Sequence, residues 1–166
     1  MNDLRNIAQL KTNTLWLVKP KWYKERYQLT DNAFVYANVY HKGWTQTAFF
    51  ETADGVLSIC NSWSGNLTVK NAEGSILGTT NSKLFSTRTN FTLNNGNTVT
   101  FYAPSIWKSE YVWEDEFKNE LLRMSFGSLS CTATITFNTR AAEIQDFNTL
   151  IFLGLKFHLN KMAMAV

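Results

Sequence analysis

Charge, sulfur and imidazole are all scarce in this chain, and each scarcity removes a class of function. Charged side chains make up 17% of the 166 residues and leave a net charge of +3. That is too mild for the basic footprint of a dedicated nucleic-acid binder, though it permits weak attraction to an anionic surface. The two cysteines, Cys60 and Cys131, show no CxxC or Cys/His spacing. Buried free thiols in a reducing cytoplasm suit them better than a disulfide. The two histidines, His41 and His158, belong to no Ser/His/Asp or Cys/His motif, and no P-loop, GxGxxG or zinc pattern occurs. No catalytic residue, metal or cofactor is expected, and the chain reads as non-enzymatic. The start, Met1-Asn-Asp-Leu-Arg5, lacks the basic and apolar regions of a secretory signal, which favours a cytoplasmic location.

Also missing is an unbroken apolar run of about 18–20 residues, the length that spans a bilayer. The best candidate, Phe147-Asn-Thr-Leu-Ile-Phe-Leu-Gly-Leu-Lys-Phe-His-Leu159, is interrupted by Lys156 and His158 and followed by Asn160 and Lys161. A tail anchor ending at Met162–Val166 would bury Lys156 near its middle, costing roughly 2.5–3.5 kcal/mol. Wound at about 100° per residue, Leu150, Ile151, Phe152, Leu153, Leu155, Phe157 and Leu159 cover the whole circumference. Only a narrow polar stripe remains, through Gln145, Thr149, Lys156 and Asn160. A helix apolar on all sides must be enclosed. Enclosure by protein is the expectation.

What the chain does contain is strand sequence. Its 12 Phe, 6 Tyr and 6 Trp suit a pleated surface, and Asn, Thr and Ser fill the polar positions. The whole of 1–166 reads as one domain, with a short amphipathic helix within 1–13, strands over 14–138 and a central helix over 139–162. Leu15–Val18 is a strand stopped by Pro20; Trp22–Leu29 and Ala33–His41 follow. Hairpins then carry explicit turn chemistry: Ala53-Asp-Gly55, Asn71-Ala-Glu-Gly74 and Asn94-Asn-Gly-Asn97. Glu110–Phe117 and Glu120–Phe126 form another pair, and Ser130–Phe137 closes the series. Asn138 or Thr139 is the expected helix cap, with Glu143 in the early turns. About twelve short strands joined by tight turns indicate a mainly antiparallel barrel. A barrel of that size needs filling, since eight strands already leave only side-chain room. The terminal helix is the filler.

Three stretches carry a family likeness: the hairpin Leu67-Thr-Val-Lys-Asn-Ala-Glu-Gly-Ser-Ile-Leu-Gly78, its partial echo Phe49-Phe-Glu-Thr-Ala-Asp-Gly-Val-Leu-Ser-Ile59, and the helix Phe147–Met162. In that order they resemble the tubby-like superfamily, which includes the tubby C-terminal domain, the phospholipid scramblases and the LURP-one-related proteins. The resemblance implies a twelve-stranded antiparallel barrel enclosing a hydrophobic C-terminal helix. It also implies binding to anionic lipid or phosphoinositide head groups, or to a protein partner. Scramblases carry an acidic segment near the helix that has been linked to calcium. Here Asn138–Phe147 offers only Glu143 and Asp146, too few for a shell of roughly six to eight oxygens.

The densest basic stretch, Lys19-Pro-Lys-Trp-Tyr-Lys-Glu-Arg26, is the candidate anionic-ligand site through Lys19, Lys21, Lys24 and Arg26. The plainer reading of the same residues, favoured because Glu25 dilutes the charge, is an ordinary solvated strand face with the aromatics turned to the core. Glu110, Glu114, Asp115, Glu116 and Glu120 gather around Trp113 and read as a solvated hairpin end that discourages edge pairing. The tryptophans, Trp107 among them, suit core and rim packing. The alternative functional reading is a lipocalin-like carrier or enzyme, with the helix outside and an open barrel interior.

Overall fold

Period-two alternation of apolar and polar residues sends successive side chains to opposite faces of a strand, and in this chain that alternation builds a barrel. The computed structural model describes residues 4–20, 26–42, 47–61, 66–81, 88–93, 95–105, 107–127, 132–138 and 146–164. Its strands are β1 (Thr14–Val18), β2 (Arg26–Thr30), β3 (Val35–Lys42), β4 (Thr47–Thr52), β5 (Gly55–Asn61) and β6 (Leu67–Lys70). They continue with β7 (Ile76–Asn81), β8 (Arg88–Thr92), β9 (Thr98–Tyr102), β10 (Glu110–Glu114), β11 (Glu120–Phe126) and β12 (Ala133–Phe137). Each pairs with its sequence neighbours, and β1 closes the ring against β12 from Thr14↔Thr136 to Leu17↔Ala133. The expected closed antiparallel barrel of twelve strands is therefore the fold.

The lining is apolar: Leu15, Leu29, Val39, Phe50, Ile59, Val69, Phe91, Leu122, Met124 and Ile135 are all buried. The outside is polar, with hydrogen bonds running between strands. Gln28 Nε2 donates to Asn38 Oδ1 at 3.1 Å, Asn38 Nδ2 to Glu51 Oε2 at 3.2 Å, and Thr100 Oγ1 to Asn90 Oδ1 at 3.1 Å. A membrane-spanning barrel carries the opposite arrangement, apolar outside and polar within. Among the described residues no helix is long and apolar enough to cross a membrane.

The helix α1 (Phe147–Met164) runs through the ring. Phe147 meets Phe137 of β12, Phe152 stacks on Phe50 of β4 at 4.2 Å, and Phe157 stacks on Phe101 of β9 at 4.7 Å. Further along, His158 stacks on Phe126 of β11 at 3.6 Å, and Asn160 Nδ2 donates to Asn61 Oδ1 of β5 at 3.3 Å. Contacts with strands on every side place it inside, in the space a lipocalin-like carrier would leave open. Leu150, Ile151, Phe152, Leu153 and Leu155 are buried, each contributing about 1.5–3 kcal/mol relative to exposure.

Two local expectations fail. The N-terminal segment is not an amphipathic helix over its described residues, where a 3-10 turn at Ile7–Gln9 forms instead. Its backbone is tied to the barrel instead, Arg5 N–H to the Val35 carbonyl at 2.9 Å, and Asn6 Nδ2 to Asp54 at 2.6 Å. So short a helix has little stability of its own to set against such bonds. Nor does Asn138 cap the helix. Its N–H reaches the Leu121 carbonyl at 3.2 Å and its Nδ2 the Glu120 carbonyl at 2.6 Å, so it prolongs the β11–β12 pairing. The first helical bond runs from Leu150 N–H to the Asp146 carbonyl at 3.1 Å, which makes Asp146 the N-cap residue. Thr139 and Glu143 lie outside the described residues.

Candidate functional site

The two ends of the barrel are built differently. Where β2–β3, β4–β5, β6–β7, β8–β9 and β10–β11 turn, the connections are short and tied by Asp and Asn side chains. Asp31 Oδ1 accepts from the N–H groups of Ala33 and Phe34 at 2.9 and 2.8 Å, Asn71 Oδ1 from Ser75 N–H at 2.8 Å, and Asp115 Oδ1 from Asn119 N–H at 2.7 Å. These are the side-chain-to-backbone bonds that favour Asp and Asn in turns. Gly74, at φ +83°, completes one of them in the left-handed region open to glycine. Acidic side chains collect at this tight-turn end as a result.

The opposite end carries the β1–β2, β3–β4, β5–β6, β7–β8, β9–β10 and β11–β12 connections, of which β1–β2, β7–β8, β9–β10 and β11–β12 are the longest in the barrel, the kind of segment in which binding residues concentrate. Lys19 follows β1, Arg26 opens β2, Lys42 ends β3, Arg88 opens β8 and Lys108 lies between β9 and β10. The antiparallel strand order puts these five positions at the same end, with Glu110, which opens β10, as the carboxylate beside them among the described residues. The tight-turn end holds Asp31, Asp54, Glu73, Asp115, Glu116 and Asp146 against Arg5, Lys11, Lys70 and Lys118. Charge is thus separated along the barrel axis although the net value is small.

Of the expected anionic-ligand residues, Lys19 and Arg26 fall on this basic end. Lys21 and Lys24 lie outside the described residues. Lys19 Nζ sits 5.7 Å from the centroid of the Tyr27 ring, and Tyr27 is buried. Arg26 is exposed, with its guanidinium 5.8 Å from the centroid of Tyr40, which in turn stacks on Phe49 at 5.3 Å. Such cation–π contacts orient the side chains and leave their charge in place. Arg88 lies over the Tyr102 ring at 4.5 Å and is partly compensated by Glu114 at 3.4 Å.

The acidic cluster divides among local partners. Glu110 and Glu120 both contact Arg123, at 3.5 and 2.7 Å, and Asp115 holds the Asn119 turn. Among the described residues no cluster of His, Cys, Asp and Glu could hold a metal ion. Cys60 is a free, half-buried thiol that accepts a hydrogen bond from Thr47 Oγ1 at 3.6 Å.

Inside the barrel, near the basic end, lies a residue whose environment the helical pattern did not disclose. Lys156 is fully buried, and its Nζ is 3.1 Å from His41 Nε2. Burial pushes the ammonium down to about 8, and a smaller Coulombic influence of Cys60 works the other way. Comparison with family models, curated proteins and solved structures returns no match to this chain.

Trp113 is core, whereas Trp107 is 90% exposed at the basic end, so packing does not account for it. No spacing in the sequence distinguishes these two residues. The positions of Trp107 and Lys108 follow only from the strand order.

Proposed function

We propose that the protein is a non-enzymatic, tubby-like module of the cytoplasm that engages anionic lipid head groups, phosphoinositides included, through the end carrying Lys19 and Arg26. The observation that supports this most directly is the segregation of charge along the barrel axis. Among the described residues the strand order puts cations in excess at the long-connection end, where Glu110 is the one carboxylate, and carboxylates in excess at the other. The filled interior supports it too, because α1 occupies the space in which a barrel carrier would hold its ligand. Strand number, antiparallel order and the enclosed helix agree with the tubby-like pattern. A barrel that size with a packed centre works by its surface.

The test is sedimentation with phosphatidylcholine vesicles, alone and with phosphatidylserine or a phosphoinositide added. Binding should require the anionic lipid and weaken as salt rises. Undiminished binding by the Lys19→Glu/Arg26→Glu variant would remove this assignment.

A further inference from the structure

We infer that Trp107 is the apolar anchor by which the barrel docks end-on to an anionic bilayer. The inference rests on the lipid-binding reading and adds to it an orientation and a second component of affinity.

Trp107 belongs to the connection between β9 and β10, where its N–H donates to Ser105 Oγ at 3.2 Å. Its side chain is 90% exposed, and Lys108 beside it is exposed as well. Tryptophan with a neighbouring cation is the pairing found where proteins meet the head-group layer, the ring lying among the head groups and the charge against phosphate. Among the described residues the other exposed large apolar side chains do not compete for this role. Phe34, Ile76 and Phe117 all lie at the tight-turn end. Phe34 is covered by the Arg5 guanidinium at 3.5 Å from its centroid. Ile76 follows the turn that carries Glu73, and Phe117 follows Asp115 and Glu116. An anionic surface would repel that end.

The distribution of the cations selects a flat partner over a small one. Lys19 and Arg26 sit at the β1–β2 position of the ring, Lys42 at the end of β3, Arg88 at the start of β8, and Trp107 with Lys108 between β9 and β10. They are spread around the rim and do not converge on a point. One soluble phosphate compound could not meet them together, whereas a plane laid across the end can. A bilayer supplies that plane, its negative charge and an apolar layer beneath.

The experiment uses the full chain with vesicles of phosphatidylcholine and phosphatidylserine, a portion of the lipid carrying brominated acyl chains that quench tryptophan on contact. Wild type should bind and be quenched. Trp107→Ala should bind about tenfold more weakly and, at saturating lipid, lose the share of the quenching that Trp107 contributes, with an unchanged circular dichroism spectrum. Trp107→Phe should recover part of the affinity. If Trp107→Ala binds and is quenched like wild type, the anchor fails while the lipid-binding reading stands. If wild type ignores anionic vesicles altogether, as it would were the partner an acidic protein, both fail.

Discussion

Lys156 Nζ lies 3.1 Å from His41 Nε2 inside a closed barrel. A lysine ammonium has donors and no acceptor, so while Lys156 is charged the His41 Nε2 must accept and the ring's proton must sit on Nδ1. Two polar residues from β3 and α1 therefore meet in an interior that is mostly apolar. Desolvating an ammonium to this extent opposes folding, and the hydrogen bond offsets only part of it.

A stability profile follows. The folded form holds the Lys156 proton only up to a pH of about 8, against an ordinary value of 10.5. Between those limits the unfolded chain binds more protons than the folded one, so stability rises with pH across the window. The gain is on the order of 3 kcal/mol at most. Tyr36 acts in the opposite sense. Burial and its hydrogen bond to Asp31 push the phenol up to about 12, a contribution present below pH 10 and lost as pH climbs through 12. Urea unfolding should show a maximum near pH 10 by this reasoning. Lys156→Met, similar in length and uncharged, should equal or exceed wild type at pH 7 and show no rise above pH 8. A rise that survives in the variant would exclude Lys156 as its source.

Gly154 marks the closest approach of α1 to the wall. A β-carbon there would overlap Met124 Sδ on β11 and lie 3.4 Å from Trp113 Nε1 on β10. Gly154→Ala should destabilise by about 1–3 kcal/mol through overpacking, less up to about 1 kcal/mol regained from helix propensity. Adding Met124→Ala should relieve the overlap, so the double variant should cost less than the sum of the two singles. Additive costs in chemical denaturation would show that the helix had shifted to make room.

The barrel was legible because its elements depend on local alternation and turn residues. The twelve strands overlap the expected segments, though β10 stops at Glu114 where Asp115 opens the turn and does not run on to Phe117, and Gly55, Gly74 and Gly96 take positive φ in the hairpins that their neighbours announced. The helix was legible because no other element is apolar on every side. Its start was not, because Asn138 resembles a cap but is held by Glu120 and Leu121 across the β11–β12 pair. Thr149 and Lys156 of the polar stripe are both buried; periodicity records polarity and does not say what faces it. Lys19 and Arg26 stood out by local density. Lys42, Arg88, Trp107 and Lys108 did not, since only the ring of strands gathers them at one end.

Lys118 occupies the left-handed region at φ +63° in the β10–β11 turn, where its N–H donates to the Asp115 carbonyl at 3.0 Å. A β-carbon is unfavourable there by about 1–2 kcal/mol, which glycine avoids at the expense of some chain entropy in the unfolded state. Lys118→Gly should therefore stabilise by up to about 1 kcal/mol. Thermal unfolding would check it, an unchanged or lower midpoint counting against strain at this position.

The polarity of charge gives a control that the lipid reading must pass. Each cation near an anionic surface is worth about 1 kcal/mol, so reversing one to glutamate should cost about 2 kcal/mol, or roughly thirtyfold in vesicle binding at low salt. Lys19→Glu, Arg26→Glu and Lys108→Glu should each show that loss, and it should shrink as the screening length falls to about 8–10 Å near physiological salt. Lys70→Glu and Lys118→Glu change net charge equally but sit at the opposite end. With the basic end against the bilayer they lie beyond the screening length of about 8–10 Å near physiological salt and should leave binding there within about twofold. Co-sedimentation of the five variants at two salt concentrations separates the cases. Equal losses at both ends would mean that net charge alone drives association and that the barrel has no preferred orientation.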